Sequence, residues 1–163
     1  MCIRDRLYKK HGILTERELI ARYEITLEQY TRKIQIESRV LGDLASNHII
    51  PTAIRYQNML IENVKGLKEV LDQKTYVKLS NTQIQAIKEI SEHVNGIKTK
   101  VALMLEERKK ANRLESTGEQ ALAYSQHVRS YFDEIRKHVD KLELLVDDEL
   151  WPLPKYRELL FIR

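Results

Sequence analysis

The side chains with most chemistry in this sequence are its histidines and the carboxylates that precede two of them. Glu89 stands four residues before His93, and Glu134 four before His138. Helical bundles hold di-metal carboxylate centres with a Glu from each of two helices and a Glu-x-x-His from each of the other two. Both pairs here are spaced one residue too widely for that pattern. His138 falls on an apolar seam, where a lone histidine reads as a hydrogen-bonded core residue rather than a ligand. Asp147-Asp148-Glu149 could attract a cation but reads as a solvated helix end. Glu37 interrupts an apolar stripe with Arg39 and Asp43 close by. A catalytic acid is one reading of Glu37; a buried ion pair or a contact to an absent partner is the one favoured. There is no phosphate-cradling glycine loop, no cysteine pair at zinc spacing and no Ser-His or Cys-His nucleophile signature. No catalytic, cofactor-binding or metal residue is assigned.

The elements that would position such residues are helices. Glycine and proline are scarce, and Leu, Ile, Glu, Lys, Arg and Gln dominate long segments, which favours an all-α fold. The length of 163 residues suffices for one domain with a real core. The net charge is +4, with the two signs interleaved. The densest basic cluster, Arg108-Lys109-Lys110 with Arg113, directly follows Glu106-Glu107 and reads as a solvated helix surface. A nucleic-acid surface needs a basic stripe on one face, so no nucleic-acid partner is expected. The single cysteine, Cys2, excludes an internal disulfide framework and fits a reducing compartment. No apolar run approaches the ~20 residues of a membrane span, and the N-terminus lacks the apolar core of a signal peptide. The expectation is a cytoplasmic protein with no membrane partner.

The chain is organised around residues 34–63. Leu27, Tyr30, Ile34, Leu41 and Leu44 recur at helical steps, with Ile36 and Val40 widening the face; Ala53, Leu60, Val64, Leu67 and Leu71 resume the stripe after Pro51. A proline removes the bond to the carbonyl four residues back and biases its predecessor away from helical angles. Two collinear or kinked helices, 27–49 and 51–72, are therefore expected. Upstream, Gly12 is a stop for a helical turn containing Leu7 and Tyr8. Thr15 with Glu18 forms a capping box for a short helix over 16–22, and Thr26 with Gln29 repeats the device. Residues 73–81 are polar enough for a connection. A heptad of Ile87, Val94 and Val101 beside Ile90, Ile97 and Met104 predicts a helix over 82–114, with Gly96 a tolerated weak point. Ser116-Thr117-Gly118 breaks it, and a last helix over 119–146 carries Ala121, Tyr124, Val128, Tyr131, Ile135, Leu142 and Leu145 on one seam. The short break makes these two an antiparallel hairpin.

The tail, 147–163, cannot continue the helix through Pro152 and Pro154. Trp151, Leu153, Leu159, Leu160 and Phe161 are too apolar for a free end. It either folds back over this bundle or docks on a neighbouring domain or subunit. The architecture expected is an elongated antiparallel helical bundle with one long proline-interrupted helix, a helical hairpin and an extended C-terminal docking tail.

Three stretches carry a family resemblance: YTRKIQIESRVLGDLASNHIIPTAIRYQN at 30–58, GLKEVL with the later ISEHVNGIK, and VRSYFDEIRKHVDKLELLVDDELWPLPKYRELLF near the end. They resemble the C-terminal helical region of type III glutamine synthetases, over residues 7–163. Met1–Arg6 do not match and read as a non-native start on a truncated frame. The resemblance implies a parent enzyme that joins glutamate and ammonia using ATP, with magnesium or manganese offsetting phosphate charge. The family's metal-binding glutamates, nucleotide contacts and catalytic arginines lie upstream of what is present, so none is carried to a position here. ATP and metal are thus expected for the parent and not for this fragment, which is expected to be inactive alone. The implied partners are the catalytic domain of the same parent chain and neighbouring subunits of a homo-oligomer. The competing readings are a stand-alone helical protein–protein interaction module, a metal-bundle enzyme, and a ligase-derived regulator that has lost catalysis.

Overall fold

The computed structural model describes residues 3–155 and 158–159. Among these the regular structure is entirely helical: α1 (Ile3–Lys10), α2 (Glu16–Leu44), α3 (Ile50–Val70), α4 (Gln73–Ala111), α5 (Thr117–Ala123) and α6 (Ser130–Leu145). Two wider π turns, Ala45–Ile49 and Tyr124–Val128, join α2 to α3 and lie between α5 and α6. The all-α expectation is met.

The sequence-level signals explain most of the helix ends. Gly12 stops α1 at a positive φ of 64°, where a Cβ would be strained. Its N–H donates to the Lys9 carbonyl at 3.2 Å and that of Ile13 to the Tyr8 carbonyl at 3.0 Å, a Schellman closure. Helix α1 takes in residues 3–6, where no periodicity was legible. The capping box forms as expected. The Thr15 N–H donates to Glu18 Oε2 at 2.8 Å, and the Glu18 N–H to Thr15 Oγ1 at 3.3 Å. The Thr15 N–H, joined by the Thr15 hydroxyl donating to the same oxygen at 2.7 Å, holds the Glu18 carboxyl below the usual carboxylate range.

Several boundaries differ from the sequence reading: the helix expected over 119–146 opens at Thr117 and is interrupted by the π turn Tyr124–Val128, and that expected over 82–114 ends at Ala111. The second capping box does not form: Thr26 Oγ1 donates back to the Arg22 carbonyl at 2.8 Å, so 16–22 and the segment from 27 are one helix. Residues 73–81, expected as a connection, open α4. Asp72 supplies the missing start signal, for its Oδ2 accepts the N–H groups of Lys74 and Thr75, each at 3.1 Å. At Pro51 the helix does not break. The Ile50 N–H reaches past the usual acceptor to the Ala45 carbonyl, and Ile50 itself stays helical at φ −57°, ψ −50°. Widening the turn by one residue relieves the crowding that the Pro51 ring imposes on the turn before it.

The chain folds as two compact units, Met1–Arg39 with Met104–Ser130, and Val40–Leu103 with Tyr131–Arg163. The first buries Leu19, Ile34, Met104, Ala111, Ala121, Tyr124 and Val128. Tyr124 is fully buried, and its hydroxyl donates to Asn112 Oδ1 at 2.7 Å, where the Gln35 amide also donates at 3.1 Å. One acceptor thereby ties α2 and the π turn after α5 to the end of α4. The second unit buries Ala45, Ile49, Ala53, Ile90, Ile97, Val101, Ile135, Leu142, Val146 and Trp151. Its helices run antiparallel. Gln57 of α3 donates to the Ile87 carbonyl of α4 at 2.8 Å, while Asn63, further along α3, meets Gln83, further back. The heptad rows are unequal: Ile90, Ile97 and Met104 are wholly buried, whereas Ile87 and Val94 are half-buried.

Trp151 answers the open question about the start of the tail. It is covered by this chain, at 8 % exposure. Lys155 Nζ stands 5.9 Å from the centre of its ring and donates to the Glu143 carbonyl of α6 at 2.8 Å. Leu159 is exposed; Leu160 and Phe161 lie outside the described residues.

Candidate functional site

The best-defined cluster of titratable groups lies where α4 and α6 face each other in the second unit. His93 and His138 approach with Nδ1 atoms 3.0 Å apart, ring centres 5.3 Å apart and planes tilted by 59°. One imidazole donates its Nδ1–H and the other accepts, so the neutral pair holds opposite tautomers. One turn along α6 and two along α4, Glu134 and Lys100 form an ion pair between the same helices. It raises the Lys100 ammonium above its ordinary value, chiefly through that hydrogen bond.

Gly96 makes the close approach feasible. A Cβ built there would lie 2.7 Å from Cε1, 2.8 Å from Nε2 and 3.0 Å from Nδ1 of His138. The glycine read in the sequence as a tolerated weak point is the floor on which the imidazole lies. Burial pushes His138 below the ordinary histidine range, and the His93, Lys100 and Lys137 charges push it the same way, against Glu134.

The other singled-out groups disperse. Glu89 accepts from the Gln85 amide at 3.1 Å and Glu134 is taken by Lys100, so neither Glu-His spacing becomes a ligand pair. Glu37 is exposed, with Lys33 Nζ at 3.9 Å one turn away, so of the two structural readings given for it the buried ion pair is overturned and the contact to an absent partner is untouched. Asp43 accepts from the Asn47 amide at 2.5 Å. Asp147 Oδ1 accepts the Glu149 N–H at 2.7 Å, and Asp148 pairs with Lys155, the solvated helix end expected of that acidic run. In the basic cluster Lys109 pairs with Glu106 at 2.7 Å and Lys110 with Glu107 at 2.6 Å, which discharges much of it. Among the described residues no three His, Cys, Asp or Glu side chains converge, and no helix is long and apolar enough to cross a membrane. The His93–His138 contact was missed because a pairing 45 residues apart in sequence depends on helix register, to which spacing within one helix is blind.

Comparison with known proteins supplies what this geometry does not. The family described as glutamine synthetase C-terminal domain matches residues 4–68, beginning inside the stretch expected to lie outside the resemblance. The glutamine synthetase of Bacteroides fragilis (strain YCH46) is 53 % identical over 151 residues, 93 % of this chain and 21 % of that protein. The type-3 glutamine synthetase of Dictyostelium discoideum is 32 % identical over 158 residues, covering 97 % of this chain and 22 % of the relative. The glutamine synthetase of Butyrivibrio fibrisolvens is 28 % identical over 155 residues, 95 % and 22 %. The chain thus spans about a fifth of the length of these curated relatives. A family model matching residues 4–68, with relatives aligned over 93 % and 97 % of the sequence, leads to one assignment: the chain belongs to the glutamine synthetase C-terminal domain family.

Proposed function

We propose that this chain is the structural and assembly portion of a type III glutamine synthetase, bracing the catalytic domain and joining neighbouring subunits of a homo-oligomer in the cytoplasm. The whole enzyme would condense glutamate and ammonia to glutamine with ATP hydrolysis, and the 163-residue chain alone would be inactive. The observation that carries this reading is the 53 % identity to the Bacteroides fragilis enzyme over 93 % of the chain. Exposed apolar groups on α2 support a docking role. Ile36 is 63 % and Val40 51 % exposed, although both widen an apolar stripe.

Among the described residues, the magnesium or manganese of such an enzyme finds no converging set of donors. Glu28, Glu37, Glu106, Glu107, Glu134, Asp140 and Asp148 each lie beside a Lys or Arg, and His93 and His138 spend their facing nitrogens on each other. A divalent cation needs carboxylates or neutral imidazoles that converge on one point. On this reading the phosphate and metal chemistry belongs to the catalytic domain of the whole enzyme.

The test is to prepare the whole enzyme bearing this chain, the same enzyme truncated before it, and an Ile36→Lys variant. Glutamine formation from glutamate, ammonia and ATP is assayed, and assembly is followed by sedimentation. The expectation is an active, assembled whole enzyme, an inactive 163-residue chain, and a smaller assembled fraction for Ile36→Lys with its helix content unchanged. A truncated enzyme that keeps full activity and assembly would overturn the reading.

A further inference from the structure

We propose that the His93–His138 pair is a pH-sensitive clasp between α4 and α6, closed while the two facing Nδ1 atoms share one hydrogen and opened when both imidazoles are cationic. The geometry sets the rule. At 3.0 Å between Nδ1 atoms, one nitrogen must lack its hydrogen for a bond to exist. A first proton, taken on the donor imidazole, leaves the bond in place and gives it charge assistance. A second puts hydrogen on both facing nitrogens and two like charges on adjacent rings.

The surroundings oppose that second proton. His93 and Lys100 on α4 and Lys137 on α6 are the cations acting on His138, and Glu134, the carboxylate that would offset them, is held by Lys100. Gly96 beneath the ring lets it lie close against α4. His138 consequently takes its proton below the ordinary histidine value near 6.5. A lowered folded-state value means that the unfolded chain binds the proton more readily. The stabilisation is whole above about pH 6.5 and is lost as pH falls toward and through the lowered value.

The experiment follows the five imidazoles of the 163-residue chain by long-range nitrogen–proton NMR from pH 8 to 5, with melting temperature measured over the same span. His138 is expected to gain its second ring proton below the ordinary histidine value near 6.5, with opposite tautomers at His93 and His138 near pH 8. Between pH 7.5 and 5.5 the chain is expected to lose roughly 2–4 °C of melting temperature beyond what His138→Gln loses. Should that variant fail to fold, His93→Gln repeats the comparison, and the spectra of the unsubstituted chain decide on their own. His138 gaining its second ring proton at or above the ordinary histidine value near 6.5 would overturn the proposal. So would melting curves whose pH dependence survives the substitution.

Discussion

At the scale of single residues, the sign of one substitution separates two accounts of Gly96. Replacing an exposed mid-helix glycine with alanine stabilises by about 1 kcal/mol through helix propensity alone. Here the new Cβ would lie 2.7 Å from the His138 ring, and forcing extra volume into a packed contact costs about 1–3 kcal/mol. Gly96→Ala is therefore expected to lower the urea midpoint rather than raise it. The Asn112 node gives a second comparison. Tyr124→Phe removes a hydroxyl and leaves Asn112 Oδ1 with the Gln35 amide, a loss of about 0.5–1.5 kcal/mol. Asn112→Ala strands the hydroxyl of a fully buried tyrosine, which costs about 1–3 kcal/mol. Equilibrium unfolding should rank the asparagine variant as the more damaged. Chemistry at this scale was only half legible. The place of His138 on a seam, and its hydrogen bond, followed from spacing; the identity of its partner did not.

Among the elements, what could be read depended on how many residues carried each signal. The α4 heptad repeats over several turns and appears as the wholly buried row of Ile90, Ile97 and Met104. Start signals rest on one side chain, and they divided. The Thr15 box formed, Thr26 turned back on its own helix, and Asp72 began α4 from within a stretch whose polarity suggested a loop. The π turn left a trace that was not used. Leu41, Ala45, Ile49 and Ala53 follow one another at four-residue steps without the three-residue step that a period of 3.6 requires, and the last three are buried. Because the wide turn already accommodates the ring, Pro51→Ala is expected to change stability by less than about 1 kcal/mol, against the ~3 kcal/mol of an interior proline. Thermal unfolding of the variant measures this directly.

For the whole molecule, the chain passes from one compact unit to the other within α2, within α4 and at the start of α6. The sequence reading took the chain as one bundle because heptads and seams run unbroken along those helices. Where a long helix changes partners is a matter of which residues it meets, and periodicity carries no such information. Trp151 is the clearest case of burial changing a functional expectation. Read as part of a docking tail, it belongs to the second core. Trp151→Ala should cost about 3–5 kcal/mol, as truncation of a buried aromatic does, and should show as a lower urea midpoint in the chain alone, with no other subunit present. Any loss of assembly in that variant is then a folding defect, which is why Ile36, 63 % exposed, is the better probe of subunit contacts.

The π turn before Pro51 has a consequence for length. It holds one residue more than an α-helical turn and so acts as a phase shifter: residues beyond it are set back by about 100° relative to an uninterrupted helix. Deleting the exposed Ser46 should let the turn tighten to α geometry without breaking the helix, while rotating all of α3 about its axis. Gln57 would swing away from the Ile87 carbonyl and Ser91, and Ala53 would leave the core. A single-codon deletion at this point should thus be far more harmful than any substitution at the same codon, and a deep insertion–deletion scan would show that contrast as a narrow peak over codons 45–49.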